Sequence, residues 1–171
     1  MCHSYWVTTW EGMPEQLADV RRYLRATLGD ADGVDDVVLV ASELAGNAIR
    51  HSKSGEPGGR FVLQVAAFTD CWYVRVDDQG GPNGPNPEDA ENADETGRGL
   101  PVIAALAHAW GTFGGSAGRT VWAEIAYPRD GVAAEFWEGG GTGFLTPAGT
   151  DGVLRSLETS GLRAVAGHCL T

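Results

Sequence analysis

The chain has 171 residues and a mass of 18.0 kDa, which is enough for one ordinary globular core. It carries 23 acidic and 12 basic residues, for a formal net charge of −11. Because proteins bind nucleic acid by neutralising phosphates with Lys and Arg, this charge argues against direct binding of DNA or RNA. A nucleotide can still bind locally, through backbone N–H groups, a metal ion and a few basic side chains.

The cysteines and the start of the chain indicate a compartment. Cys2, Cys71 and Cys169 are odd in number and far apart, which fits neither paired disulfides nor a metal-binding cluster. We therefore expect free thiols. No basic start precedes an apolar run, and no apolar stretch approaches the length of a membrane span. These features predict a cytoplasmic protein without membrane association.

The first half of the chain predicts a strand followed by two helices. Residues 3–10 are rich in Tyr, Trp, Val and Thr, which favours a strand. Between residues 14 and 28 the apolar residues recur every three or four positions, as in an amphipathic helix. A second helix begins in the acidic cluster near residue 32 and continues to about residue 51.

The second half predicts a mostly stranded pattern around a polar loop. Residues 61–67 and 72–76 alternate in polarity, as in an antiparallel hairpin. Residues 81–96 are mainly Gly, Pro, Asn, Asp and Glu, which predicts a mobile loop. The remaining predicted elements are a helix at 100–107 and strands at 108–114 and 119–127.

The C-terminal segment differs in composition from the rest of the chain. Residues 130–171 are rich in Gly and other small residues, and they contain a run of three glycines. We expect a domain at 1–129 and a C-terminal extension at 130–171, partly disordered or with a short helix near 153–159. No recognisable chemistry lies in the extension.

The second helix carries the first group of candidate site residues. With 3.6 residues per turn, Glu43, Asn47 and Arg50 or His51 project from one side of it. Mg²⁺ prefers oxygen ligands and usually shares them with phosphates, so the amide oxygen of Asn47 is a candidate metal ligand. A solvated polar helix face is the alternative interpretation.

The second group, Asp78-Gln79-Gly80, follows a strand with apolar neighbours. A carboxylate there can accept a hydrogen bond from an exocyclic amine such as that of adenine. Gly80 would let the backbone approach a flat ring closely. The alternative interpretation is an ordinary turn, since Asp-x-Gly is common in turns.

The third group is Gly97-Arg98-Gly99-Leu100, directly ahead of a predicted helix that Pro101 can start. Glycines at a helix start leave N–H groups open to an anion, and a phosphate suits that position. Arg98 either adds a charge-assisted hydrogen bond to the same anion or faces water.

The order of these groups resembles the N, G1 and G2 boxes of the GHKL ATPase superfamily, whose members include Hsp90, gyrase B, MutL and histidine kinases. Residues 42–51, 97–100 and 119–122 are most similar to bacterial anti-sigma-factor serine/threonine kinases of the short actinobacterial type. The similarity covers roughly residues 10–127. Two departures are Gly46 inside the N-box helix and Asp-Gln-Gly-Gly-Pro in place of a fuller G1 motif.

The resemblance implies a Bergerat-type two-layer α/β sandwich, with helices on one face of a mixed, mostly antiparallel sheet. It also implies ATP and Mg²⁺ as cofactors. By motif, Asn47 would coordinate Mg²⁺, Glu43 would be the general base, and Asp78 would bind the adenine amine. Other residues that would border the nucleotide are Arg50, His51, Gly80, Gly97, Arg98, Gly99, Leu100 and Thr120, the last near the adenine-binding Asp.

Two main functions stay open at this point. One is a kinase that transfers the γ-phosphoryl group of ATP to Ser or Thr of an antagonist protein, with sequestration of a sigma factor as a further role and homodimerisation through the sheet. The other is a non-catalytic module whose partner binding is gated by nucleotide through the loop at 81–96. A histidine kinase catalytic domain is disfavoured, because no separate long helix carries a phospho-accepting His.

Overall fold

The computed structural model of the chain describes residues 2–82, 99–127 and 165–167. Within them, one sheet packs against three helices, so the predicted two-layer α/β sandwich is confirmed. The expectations for Gly97 and Arg98, for most of the loop at 81–96, and for a helix near 153–159 lie outside the described residues.

Six strands form the sheet in the order β4-β5-β3-β2-β1-β6, and every neighbouring pair of described strands is antiparallel. No parallel pair of the expected mixed sheet therefore lies in the described part. The strands are β1 (Cys2–Glu11), β2 (Arg60–Phe68), β3 (Cys71–Asp78), β4 (Ala109–Gly115), β5 (Gly118–Ala126) and β6 (Val165–Gly167). The last of them belongs to the C-terminal extension and pairs with β1.

The helices are α1 (Gln16–Leu28), α2 (Val34–His51) and α3 (Gly99–Leu106). Each presents apolar residues at helical spacing, and these form one core with the sheet. In α1, for example, Val20, Leu24 and Leu28 recur every four positions and are buried. A short 3₁₀ turn, Lys53–Gly55, links α2 to β2.

The sheet has an inner face towards the helices and an outer face away from them, and side chains alternate between the two along each strand. On β3, Trp72, Val74 and Val76 belong to the core, so they point inward, and Asp78 continues the same row. The intervening side chains of Arg75 and Asp77 point outward. Adjacent residues at the end of β3 thus face opposite sides of the sheet.

The structure also bears on the cysteines and on the expected absence of a membrane span. Cys2 is disulfide-bonded and Cys71 is a free thiol, so the prediction of free cysteines is wrong for Cys2. No helix in the described ranges is both long and apolar enough to cross a membrane.

Candidate functional site

Helix α2 forms one wall of the candidate site. Its apolar side, which includes Ala41, Leu44 and Ala48, is almost completely buried against the sheet and the other helices. This packing places Glu43 and Asn47 at the edge of the core, where both are half-buried. The predicted alignment of a carboxylate and an amide on one side of this helix is therefore present.

Asn47 is hydrogen-bonded to a neighbour on its own helix. The Arg50 guanidinium donates to the Asn47 Oδ1 atom over 3.1 Å. Gly46 makes room for that guanidinium, because a Cβ at position 46 would lie 3.2 Å from Arg50 Nη1. An amide oxygen has two lone pairs, so Asn47 Oδ1 can still accept a second contact or bind a cation.

Glu43 lies one helical turn before Asn47. It forms no hydrogen bond or ion pair within the part of the chain that the structure describes. A half-buried carboxylate that is not engaged in structural contacts can accept a proton from a bound hydroxyl group.

Asp78 lies at the inner end of β3 and is fixed by two donors. The backbone N–H of Gly80 donates to its Oδ1 atom over 2.6 Å, and Arg119 Nε donates to its Oδ2 atom over 3.1 Å. The ion pair is deeply buried, with side-chain exposures of 3% for Asp78 and 5% for Arg119. The carboxylate therefore has a single, well-defined orientation.

Arg119 also connects this carboxylate to α2. Its Nη2 atom donates to the carbonyl oxygen of His51, the last residue of the helix, over 3.1 Å. The sequence motifs assigned Arg119 no role. Its inward orientation could nevertheless have been deduced from the alternation of apolar residues along β5. Val121, Ala123 and Ile125 form the apolar inner row of β5, and Arg119 lies two residues before the first of them.

Positive charge accumulates at the end of α2. Partial burial of its ring lowers the pKa of His51, and the charges of Arg50 and Arg119 lower it further. His51 is therefore mainly neutral at pH 7, and the positive charges that act on it are those of Arg50 and Arg119. Two guanidinium groups beside an amide and a carboxylate suit a ligand that carries both negative charge and hydrogen-bond donors.

Gly80 has a packing role in the structure. Its φ of 70° lies in the left-handed region, and a Cβ there would lie 2.6 Å from the carbonyl oxygen of Gly115 in the β4–β5 turn. Its carbonyl accepts a hydrogen bond from the Lys53 N–H over 2.7 Å. These contacts hold the segment after Asp78 between α2 and the β4–β5 turn.

Thr120 does not lie beside Asp78, and the expectation that placed it there is corrected by the register of the sheet. Thr120 is opposite Asp77, and Arg119 is opposite Asp78. Its hydroxyl group is hydrogen-bonded to the Asp77 carboxylate on the outer face. A shift of one residue along a strand moves a side chain to the other face, and the motif alone did not resolve it.

The start of α3 is described from Gly99 onward. Leu100 and Ile103 are buried in the core, and α3 packs against α2. Leu100 thus lies on the inner side of the sheet with α2, and its contact with a nucleotide stays a prediction. The anion site formed with Gly97 and Arg98 stays a prediction.

A cavity of about 940 Å³ lies at the ends of the strands. Asp78 and Arg119 contribute to its wall, as do the outer-face residues Asp77 and Thr120, but Glu43 and Asn47 do not line it. Cavities of this size can hold a nucleotide. Because the cavity does not reach α2, the side-chain chemistry described above defines the candidate site better than the cavity does.

The residues present fit an adenine nucleotide with Mg²⁺. Each oxygen of the Asp78 carboxylate has two lone pairs, and the contacts described use one on each, so the carboxylate can accept a base N–H. Among the described residues no group of three or more His, Cys, Asp or Glu is arranged to hold a metal ion. Mg²⁺ shared between phosphates and a single Asn ligand requires no such group.

Comparison with protein families identifies the type of domain. A family model described as a histidine kinase-like ATPase domain matches residues 11–125, which is about two thirds of the chain. The match extends from the end of β1 to β5 and includes all of the site residues named above. No curated protein matches the chain significantly.

Proposed function

Because the chain belongs to the family of histidine kinase-like ATPase domains, we propose that it is a regulatory protein kinase that uses ATP to phosphorylate Ser or Thr of an antagonist protein. Membership of this family supports ATP binding in a regulatory protein. The kinase activity and its partners are the finer part of the proposal, which rests on residues of α2 and of the strand ends.

The observation that carries the proposal is the anchored carboxylate of Asp78. It is buried on the inner face, held by Gly80 and Arg119, and connected through Arg119 to the helix that carries Asn47. Its oxygens keep further acceptor positions beside the cavity. An adenine amine supplies the donor that such a carboxylate can accept.

The residues of α2 would bind the metal ion and the phosphates and accept the proton of the attacking group. Asn47 would bind Mg²⁺ through Oδ1, and Arg50, which already contacts that oxygen, would lie beside the phosphates. Bound ATP would supply the phosphoryl group. Glu43 would accept the proton of the attacking hydroxyl group, because it lies one turn from Asn47 and has no structural partner in the described chain.

The partners belong to the proposal as well. Similarity to anti-sigma-factor kinases favours an antagonist protein as the phosphate acceptor and a sigma factor as a second partner, in the cytoplasm. A homodimer formed through the sheet agrees with the same similarity. The net charge of −11 argues that regulation of transcription would run through these proteins and not through contact with DNA.

Calorimetry with ATP and Mg²⁺, followed by transfer from γ-labelled ATP to a candidate antagonist, tests the proposal. Glu43→Gln should leave ATP affinity nearly unchanged and lower the transfer rate by about 10²–10⁴, the range for loss of a general base. Glu15→Gln, an exposed position ahead of α1, is the matched control and should transfer at the parental rate.

Two outcomes would contradict parts of the proposal. A folded Glu43→Gln protein that transfers phosphate at the parental rate would eliminate Glu43 as the base. Nucleotide-dependent binding of the antagonist without any transfer would establish the non-catalytic module instead of the kinase.

A further inference from the structure

We propose that Arg119 is the specificity-determining residue of the base subsite, a positioning residue that makes Asp78 select purines with a 6-amino group over purines with a 6-oxo group. The proposal deepens the proposed function and rests on ATP binding at Asp78. It concerns a residue to which neither the motifs nor the family match assigns a role.

Two donors fix the Asp78 carboxylate, and one of them is itself held in place. Arg119 Nε lies 3.1 Å from Oδ2, and the Gly80 N–H lies 2.6 Å from Oδ1. Arg119 is itself held at its far end by the carbonyl of His51, 3.1 Å from Nη2. With both side chains at least 95% buried, neither group can reorient without moving β3, β5 or the end of α2.

The charge on Arg119 determines what Asp78 can bind. An ionised carboxylate only accepts hydrogen bonds, whereas a protonated carboxyl group also donates one. A carboxyl group buried without a cation favours the neutral form, because the charged form loses its hydration. Arg119 is a buried cation in contact with Asp78, so its charge compensates that of a carboxylate that only accepts hydrogen bonds.

Base selectivity follows from this acceptor. The 6-amino group of adenine donates to an ionised carboxylate, whereas the 6-oxo group of hypoxanthine directs lone pairs at it. A hydrogen bond to a charged group corresponds to roughly 10- to 150-fold in affinity, and the wild-type chain should prefer ATP over ITP by about that factor. Without the cation, the carboxyl group can donate to an oxo group, and the preference should disappear.

The outer face provides a matched control for the buried charge. Arg75 pairs with Asp77 over 2.8 Å, with side-chain exposures of 5% and 13%. This pair has the same residue types and similar burial. Both of its residues lie on β3, and Asp77 directly precedes Asp78. Arg75→Met therefore removes an equally buried cation and leaves the base subsite intact.

The experiment measures Kd for ATP and for ITP, both with Mg²⁺, by calorimetry on the full chain and on three variants. Arg119→Met should bring the ratio of the two Kd values to within about threefold of unity. Arg119→Lys keeps the charge and should restore most of the preference for ATP. Arg75→Met should keep the parental ratio. If Arg119→Met unfolds below the assay temperature, Arg119→Gln, which is neutral but still polar, takes its place.

Each outcome separates this inference from the proposed function. A folded Arg119→Met or Arg119→Gln protein with the parental ratio overturns the inference, even when both affinities fall, because a merely structural role weakens both nucleotides equally. A wild-type chain that binds ATP and ITP equally well overturns the inference and leaves ATP binding standing. A wild-type chain that binds neither nucleotide overturns the proposed function itself.

Discussion

Asp77 and Asp78 are adjacent in sequence, yet they belong to different surroundings. Asp78 points to the inner face, where Arg119 and the end of α2 hold it beside the candidate site. Asp77 points to the outer face, where it contacts Arg75 and Thr120. The same residue type, with the same kind of Arg partner, thus occurs once on each side of the sheet.

The two surroundings differ in what they leave open. The guanidinium of Arg75 lies 5.4 Å from the ring centre of Phe113, and nearby Tyr73 stacks on Trp122 at 6.1 Å, so the outer pair lies within an aromatic surface. The inner pair is connected to a helix that carries further polar groups. The alternation of the strand thus places one buried ion pair on the aromatic outer face and the other beside the candidate site.

The largest expected effect is a loss of stability when the Arg of either ion pair is replaced. It tests whether the Arg119–Asp78 and Arg75–Asp77 pairs are equally buried in solution. Arg119→Met and Arg75→Met each leave a carboxylate without its cation, so each should lower the free energy of unfolding by about 3–5 kcal/mol. Denaturant titration measures both losses. A loss below about 1 kcal/mol for either variant would show that its pair is solvent-exposed in solution.

The next effect is on ATP affinity, and it should differ between the carboxylates of Asp78 and Asp77. Asp78→Asn places an amide opposite the adenine amine, and ATP affinity should fall by about tenfold or more, since a charge-assisted hydrogen bond contributes roughly 1.5–3 kcal/mol. Asp77→Asn should leave ATP affinity unchanged, because its side chain faces away from α2. Equal losses in calorimetry would mean that the two faces are not functionally distinct.

A smaller difference in stability is expected between substitutions at two glycines, Gly46 on α2 and Gly111 on β4. Gly46→Ala replaces a helix-interior glycine and should raise stability by about 1 kcal/mol, because the three atoms nearest the new Cβ belong to the flexible end of Arg50, the closest at 3.2 Å. Gly111→Ala should lower stability, since the new Cβ would lie 3.0 Å from the ring of Trp122, which stacks on Tyr73. Thermal unfolding compares the two, and a stabilising Gly111→Ala would show that the aromatic surface adapts easily.

The smallest effect concerns pH at the inner side. In the folded chain the pKa of His51 is below its ordinary value of 6.5. At a pH between the folded and the unfolded pKa, the unfolded chain therefore binds more protons than the folded chain. His51 therefore favours folding less as the pH falls below about 6.5, and its full contribution is present above that pH. Stability measured at pH 5.5 and 7.5 should fall less on acidification in His51→Gln than in the parent. An identical pH dependence in the two proteins would show that burial and the charges of Arg50 and Arg119 do not lower the pKa of His51.

Much of the fold could be predicted from local patterns. The periods of α1, α2 and the β2–β3 hairpin are local properties of the sequence, and the structure has these elements close to the predicted bounds. Register between distant strands is not local. The motif could not tell whether Thr120 or Arg119 faces Asp78, because that depends on how β5 aligns with β3.

Other differences have the same origin. The short strand β6 pairs with β1 across almost the whole length of the chain, and its composition gave no sign of a strand. The bonded state of Cys2 likewise depends on which groups the fold brings together. Within the site, Asn47 and Glu43 could be predicted to share a helix side, whereas the contact between Arg50 and Asn47 required the side-chain conformation.

The bond from Arg119 to the His51 carbonyl joins residues 68 positions apart, and the bond to Asp78 joins residues 41 positions apart. Closing such long loops costs entropy that only the completed sheet offsets, so we expect the proposed base subsite to form late in folding. A partly folded chain would therefore have no affinity for nucleotide. By linkage, a nucleotide present at 100 times its Kd would stabilise the entire fold by about 2.7 kcal/mol, and cellular nucleotide levels would then influence how long the protein persists.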